Sequence, residues 1–330
     1  MHRERRGAQS TTSARPVALF VLGFGRSGTS ALARVLSLCG AAVPTGLLGA
    51  TNDNPRGFWE PRVAIHLNES ILRSQRSSAY DLSLRAPDGS VRPEKKDVWI
   101  RKITRFFSGL PAAPLVVVKE PKITALTGLW FEAARLAGFD VAAVIAMRHP
   151  AESTASIEER ASRQNYVQSS PELGSAWWLK YTLLAERDTR GVPRVFVEYA
   201  NLLEDWRREV KRISTALEID LEARDDYAID EFLSPNLRHH RHCGPVIEPF
   251  GADWLSAVYG ELGAAARDEP WDQSVLDRVF DEYTVSERGF RTALENSNRY
   301  VKLNRLMLPS LVKLGLEVLA LAHRRKGTWS

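Results

Sequence analysis

The sequence predicts an α/β protein: a parallel sheet flanked by helices on both faces, followed by a helical C-terminal extension. Four short runs dense in Val, Ala, Ile and Phe, at 17–22, 115–118, 141–147 and 194–198, are apolar rather than alternating, the last of them charged only at its two ends, as strands buried on both faces are. Stretches of helical pattern near 29–38, 60–74, 123–137, 151–163, 173–189 and 202–217 stand around and between them, which is the order of a parallel sheet with crossover helices. No internal repeat is visible, and 330 residues with 44% apolar content suffice to bury one large core. We expect a disordered basic tail at 1–15, the α/β domain at 16–295, and an amphipathic helical extension at 296–330.

The first apolar run leads into Gly-Phe-Gly-Arg-Ser-Gly-Thr-Ser at 23–30. Gly23, Gly25 and Gly28 allow a tight turn with inward N–H groups, and Thr29 and Ser30 open a helix whose positive end faces the same space. This P-loop-like turn suits a phosphate-like anion. The lysine that follows the second glycine of a nucleotide-hydrolase P-loop is replaced by Thr29, and an arginine stands earlier, at Arg26. No apolar strand ends in an Asp that would hold a metal against a triphosphate, so the pattern argues against ATP.

A second strand–turn–helix unit occupies 141–160. Arg148 ends its apolar run, Pro150 suits a first helical turn, and Ser156 and Arg160, four residues apart, share a helix face. Leu-Val-Val-Val-Lys-Glu-Pro-Lys at 115–122 ends in charge at Lys119 and Glu120, and Arg-Val-Phe-Val-Glu-Tyr at 194–199 ends at Tyr199. Gly23, Lys119 and Arg148 therefore fall at the carboxyl ends of strands, where open α/β sheets bind ligands.

Together these segments resemble the sulfotransferases that use 3′-phosphoadenosine 5′-phosphosulfate (PAPS), in particular the carbohydrate and protein-tyrosine branches. The resemblance spans residues 17–217, about two thirds of the chain. It implies that Gly25, Arg26, Ser27, Gly28, Thr29 and Ser30 hold the 5′-phosphosulfate. Arg148 and Ser156, with the family's arginine-to-serine spacing, would hold the 3′-phosphate, and Lys119 would reach the sulfuryl group. Tyr199 matches the tyrosine of the family's Tyr-Glu-x-Leu element, although Ala200 follows it here. Family members carry a catalytic Glu or His in the loop after the first helix, and Asn52-Asp-Asn-Pro-Arg-Gly-Phe-Trp-Glu60 supplies Glu60. Glu120, beside Lys119, is the rival base, and capping of the helix after Pro61 is the alternative role for Glu60.

Sulfuryl transfer is an in-line displacement through a loose transition state, by analogy with phosphoryl transfer, so it asks for a base and for cations around the departing oxygens. No metal is required. The expected acceptor is a hydroxyl of a small molecule, glycan or lipid. Two other classes stay open: a non-catalytic nucleotide- or phosphate-binding protein, and an atypical P-loop kinase that would need Mg²⁺ and ATP.

The net charge of +5 is not gathered into a basic helix with interleaved aromatics, and Arg3, Arg5, Arg6 and Arg15 supply much of it, so nucleic acid is not an expected partner. The apolar run from Val17 stops at Leu22, which is too short for a signal-peptide core, and two cysteines are no disulfide framework. A cytoplasmic location is expected, with peripheral membrane contact as an option. The cluster His239-His240-Arg241-His242-Cys243 has metal-ligand residue types without convergent spacing; Arg238 and Arg241 would face cofactor phosphate if this loop covers the site, and a solvated surface loop is the alternative. The run 306–322, interrupted by Lys313 and Glu317, is too short and too charged to span a bilayer; it suits a helix packed on the core, on a second copy in a homodimer, or on an anionic membrane surface.

Overall fold

The computed structural model describes residues 15–51, 54, 56–84, 93–162, 169–233, 244–306, 314, 318 and 321. The tail at 1–14, Arg238, Arg241, the His239–Cys243 cluster and most of the C-terminal run lie outside the described residues. Arg15, the last residue assigned to the tail, donates from Nε to the Gly138 carbonyl at 3.1 Å.

Four strands form one parallel sheet, β1 (Val17–Leu22), β2 (Leu115–Lys119), β3 (Asp140–Met147) and β4 (Arg194–Glu198), in the order β2-β1-β3-β4. Val17 pairs with Leu115 on one side and Asp140 on the other, and Ala143 pairs with Arg194. The chain steps from β1 to β2 and then crosses back over β1 to β3, so the switch point of the sheet lies at the carboxyl ends of β1 and β3. The outer edge of β2 is met by Ala42, which donates to the Leu115 carbonyl at 2.9 Å and accepts from Val117 at 2.8 Å.

Eleven helices are described: α1 (Thr29–Leu38), α2 (Arg62–Ser74), α3 (Pro93–Ser108), α4 (Thr127–Leu136), α5 (Pro150–Ser162), α6 (Pro171–Asp188), α7 (Tyr199–Glu204), α8 (Trp206–Leu217), α9 (Asp226–Phe232), α10 (Trp254–Ala266) and α11 (Gln273–Leu306). Alternate residues of the central strand face opposite layers. Leu19 and Val21 join Val117, Val144 and Val197 in a core closed by α1 and α8, while the Phe20 ring meets Phe107 of α3 at 6.2 Å and Phe131 of α4 at 4.9 Å. Because both faces are covered, every residue from Ala18 to Leu22 is fully buried, which explains the unbroken apolar run.

Two predicted helices divide. The stretch 202–217 breaks at Asp205, whose Oδ1 accepts from the Arg208 amide at 3.0 Å and caps α8. The stretch 123–137 opens as a 3₁₀ turn, Pro121–Ala125, and becomes α4 only after Leu126, whose φ of −130° and ψ of 16° fall outside the helical region. Residues up to Phe280 form one compact unit and those from Asp281 a second. No helix among the described residues is long and apolar enough to cross a membrane.

Candidate active site

The loop after β1 is shaped by backbone conformations that only some residues tolerate. Gly23 has φ of 120°, and a Cβ there would lie 2.3 Å from the Ala146 carbonyl of the neighbouring strand; its amide donates to Thr124 Oγ1 at 3.0 Å. Gly28 has φ of 87°, and a Cβ would lie 2.3 Å from Cδ2 of Tyr199. The loop therefore fits closely between β3 and α7 because it carries no side chain at either point. Arg26 also sits in the left-handed region, at φ of 76°. At Gly25 a Cβ would meet nothing within 4 Å, so this glycine opens on the cavity instead.

That cavity has a volume of about 510 Å³ and lies at the carboxyl ends of β1, β2 and β3. It is lined by Gly25, Arg26, Gly28, Thr29, Ser30, Glu60, Lys119, Arg148, Ser156 and Tyr199 among the residues anticipated from sequence. Arg26 donates from Nε to Ser156 Oγ at 2.9 Å, tying the glycine loop to α5. Arg148 donates from Nε to Glu152 at 2.8 Å and lies over the Tyr199 ring at 5.1 Å, while Trp178 donates to the Arg148 carbonyl at 3.1 Å. Strand end, helix start and ring thus fix the guanidinium at the cavity wall.

Ser27 is placed differently. Its amide donates to the Phe24 carbonyl at 3.1 Å, its hydroxyl lies 3.4 Å from Ser153 Oγ, and it is buried beneath the loop rather than at the cavity surface. Two cations of the lining stand outside the expected anion-binding set: Arg56, which donates to the Phe232 carbonyl at 2.5 Å, and Arg160, which lies over the Phe58 ring at 5.4 Å; with them comes an aromatic wall of Phe58 and Phe232. Arg56 sits within the quoted 52–60 segment and Arg160 one turn beyond Ser156, so their positions were the available signal. The lining holds the cations Arg26, Arg56, Lys119, Arg148 and Arg160 against the carboxylates Glu60 and Glu159, a balance that suits a polyanion.

Lys119 is the junction of the site. Its ammonium is buried and donates to Glu60 Oε1 at 2.5 Å, the Phe58 carbonyl at 3.0 Å and Ser30 Oγ at 3.1 Å. Ser30 in turn donates to the Phe58 carbonyl at 3.2 Å. Burial pulls the Lys119 pKa below its ordinary value, against the pull of the Glu60 carboxylate. Trp59, between these partners, has φ of 58° and its Nε1 donates to the Arg56 carbonyl at 3.0 Å, which turns Phe58 and Glu60 together onto the lysine.

Glu120 faces another network. It accepts from Asn68 and, at 2.8 Å, from Lys122, while Asn68 accepts from Trp130 at 2.8 Å. Burial raises the Glu120 pKa, partly offset by Lys122; the Lys122 ammonium, despite its own burial, is raised by the Glu120 charge. Glu60 lines the large cavity and Glu120 does not, although both border a smaller cavity beside it.

No protein-family model and no curated protein matches the chain. Solved structures do. The sulfotransferase domain of the Synechococcus olefin synthase aligns over 84% of this chain and 98% of its own, with 20% identity and a TM-score of 0.39. The sulfotransferase domain from the curacin biosynthetic pathway aligns over 78% and 100%, with 14% identity and a TM-score of 0.42. A sulfotransferase from Alicyclobacillus acidocaldarius aligns over 80% and 99%, at 15% identity and a TM-score of 0.41. The chain is similar to sulfotransferases.

Proposed function

We propose that this protein moves a sulfuryl group from PAPS to an acceptor hydroxyl. The observation that carries this reading is the junction at Lys119: one buried ammonium joins the anion cradle, through Ser30, to a carboxylate that faces the same cavity, Glu60. An anion site alone would need the cradle and the ammonium's counter-charge, but not a carboxylate that also faces the cavity.

The donor's shape fits the residues present. The open face at Gly25, the start of α1 and the excess of cations suit its phosphosulfate, and Arg148 with Ser156 and Arg26 suits a second phosphate at the far wall. When bound, PAPS supplies a sulfur that the acceptor oxygen attacks while the bond from sulfur to the bridging phosphate oxygen breaks, leaving adenosine 3′,5′-bisphosphate. In that step Glu60 would take the acceptor's proton, and Lys119 would offset charge on the departing oxygen. Ser30 and the Phe58 carbonyl hold the ammonium in place. Tyr199 fixes the floor of the loop through its contact with Gly28. The acceptor is a hydroxyl compound, and nucleic acid is not among the proposed partners.

The test compares adenosine 3′,5′-bisphosphate with ADP by thermal shift in the presence of a chelator. The bisphosphate should stabilise the protein and ADP far less. Equal shifts would remove the proposal, as would stabilisation by ATP that depends on Mg²⁺.

A further inference from the structure

A second cavity of about 210 Å³ opens beside the first and shares Gly25, Phe58, Glu60 and Arg160 with it. Its remaining wall is of another kind. Phe24, Leu48, Tyr80, Trp177 and Tyr181 line it, with the Tyr80 and Trp177 rings 5.3 Å apart and those of Phe24 and Tyr181 at 6.0 Å. Two polar atoms of these aromatics bond within the wall itself: Trp177 Nε1 donates to the Tyr80 carbonyl at 2.9 Å, and Tyr181 donates its hydroxyl to the Ala79 carbonyl at 3.0 Å. Lys122 and Glu120, at the back, bond each other. The wall therefore offers a ligand a group of aromatic rings on one side, while the one carboxylate common to both cavities is Glu60.

We infer that this cavity seats the acceptor, and that the acceptor is a flat aryl compound bearing its hydroxyl at Glu60: a phenol or naphthol rather than a sugar. The inference rests on the transferase reading and narrows it. A cavity of about 150 Å³ already accommodates a benzene ring, so this one holds a ring with substituents or a small fused pair. A sugar would bring several hydroxyls against ring faces that cannot hydrogen-bond them, and those hydroxyls would lose water without recompense. Aromatic faces reward a planar ring by stacking and edge contacts. The chemistry agrees, because a phenol ionises near pH 10, about as a tyrosine does, and yields its proton to a carboxylate more readily than an alkanol does. Tyr80, half exposed, stands at the rim.

The inference is tested first by binding without turnover. The full-length protein, loaded with adenosine 3′,5′-bisphosphate, is titrated calorimetrically with 2-naphthol, cyclohexylmethanol and methyl glucoside. Naphthol should bind about ten-fold or more tightly than either of the others. Ala161→Leu, at the end of α5 where the residue borders only the smaller cavity, should weaken naphthol about ten-fold and leave the bisphosphate affinity unchanged. Tyr80→Ala, at a half-exposed position that the fold can spare, should weaken naphthol several-fold by the same titration. With PAPS supplied, 2-naphthyl sulfate should form. Tighter binding of the glucoside, indifference of naphthol to both substitutions, or naphthol bound but never sulfated while another acceptor is, would each overturn the aryl assignment and leave the transferase standing. If the bisphosphate binds no better than ADP, the donor reading fails and the acceptor assignment falls with it.

Discussion

Glu60 and Lys119 meet as a buried ion pair, with Nζ 2.5 Å from Oε1, although one side chain comes from the segment before α2 and the other from the end of β2. Each holds the other in a place where neither charge would be comfortable alone. Catalysis and stability are consequently linked at this pair, and single and double substitutions there should separate the two effects.

Glu60→Gln should lower turnover by roughly 10²–10⁴-fold with little change in bisphosphate affinity, since the proton moves only during transfer. If Glu60→Gln keeps its turnover and Glu120→Gln loses it, the base is Glu120. Calorimetry of both variants alongside product assays decides between them.

Lys119→Met should destabilise the fold by about 3–5 kcal/mol, because it leaves Glu60 buried without its cation. The double variant Glu60→Gln/Lys119→Met should be less destabilised than the sum of the singles in urea unfolding. Strict additivity would mean that the pair is not coupled in solution.

Arg148→Ala should erase the preference for adenosine 3′,5′-bisphosphate over ADP. In the parent protein a bisphosphate concentration 100 times its dissociation constant should add about 2.7 kcal/mol of stability, and that increment should fall to the ADP value in the variant. A preference that survives the substitution places the second phosphate elsewhere.

The glycines of the loop should part company. Gly28→Ala drives a methyl into Tyr199 at a left-handed φ, so its melting temperature should drop by several degrees, and adding Tyr199→Ala should recover only the steric part. Gly25→Ala meets no protein atom and should change stability by no more than about 0.5 kcal/mol, while weakening the bisphosphate because its methyl enters the cavity.

Asp81 gives a pH signature. Burial alone would raise its pKa, but hydrogen bonds from the Ser83 amide and from the Ser77 and Ser83 hydroxyls, with Lys180 nearby, hold it below the usual carboxylate range. A folded-state pKa below the unfolded value of about 3.9 means that this stabilisation is complete above pH 4 and lost as pH falls through the folded value. Asp81→Asn should therefore cost about 1 kcal/mol at pH 7 and flatten the decline of melting temperature as pH falls below about 4. Parallel curves for the two proteins would deny Asp81 that role.

The strands and the loop that follows β1 were readable because their causes are local. Val117 or Val144 must be apolar to be buried on both faces, and Gly23 and Gly28 must lack a side chain to turn beside β3 and Tyr199. Arg148 and Lys119 were legible as charges where apolar runs stop. The break at Asp205 was missed although an Asp before a helix start is a local signal, because the apolar period continues across it. The second cavity was not legible at all. Tyr80, Trp177 and Phe24 lie far apart in the chain and acquire a common purpose only when α6 packs beside the glycine loop, and nothing in the neighbourhood of each residue announces the others. Helix α3 was passed over because its apolar residues, such as Ile100, Ile103 and Phe107, are diluted by Lys and Arg that face water.

The position of β1 in the middle of the sheet has a consequence for synthesis on the ribosome. This strand is complete at Leu22, but its first hydrogen-bonding neighbour does not begin until Leu115 and its second until Asp140. At about 5–20 residues per second, the most buried segment of the protein spends roughly 5–20 s outside the exit tunnel with both edges unsatisfied. Nascent chains arrested before β2 should be cut readily by added protease and held by ribosome-associated chaperones, whereas chains arrested well past β3 should resist. The anion cradle, whose lining runs on through Arg148 and Tyr199 to Phe232, becomes able to hold a ligand only after that wait is over.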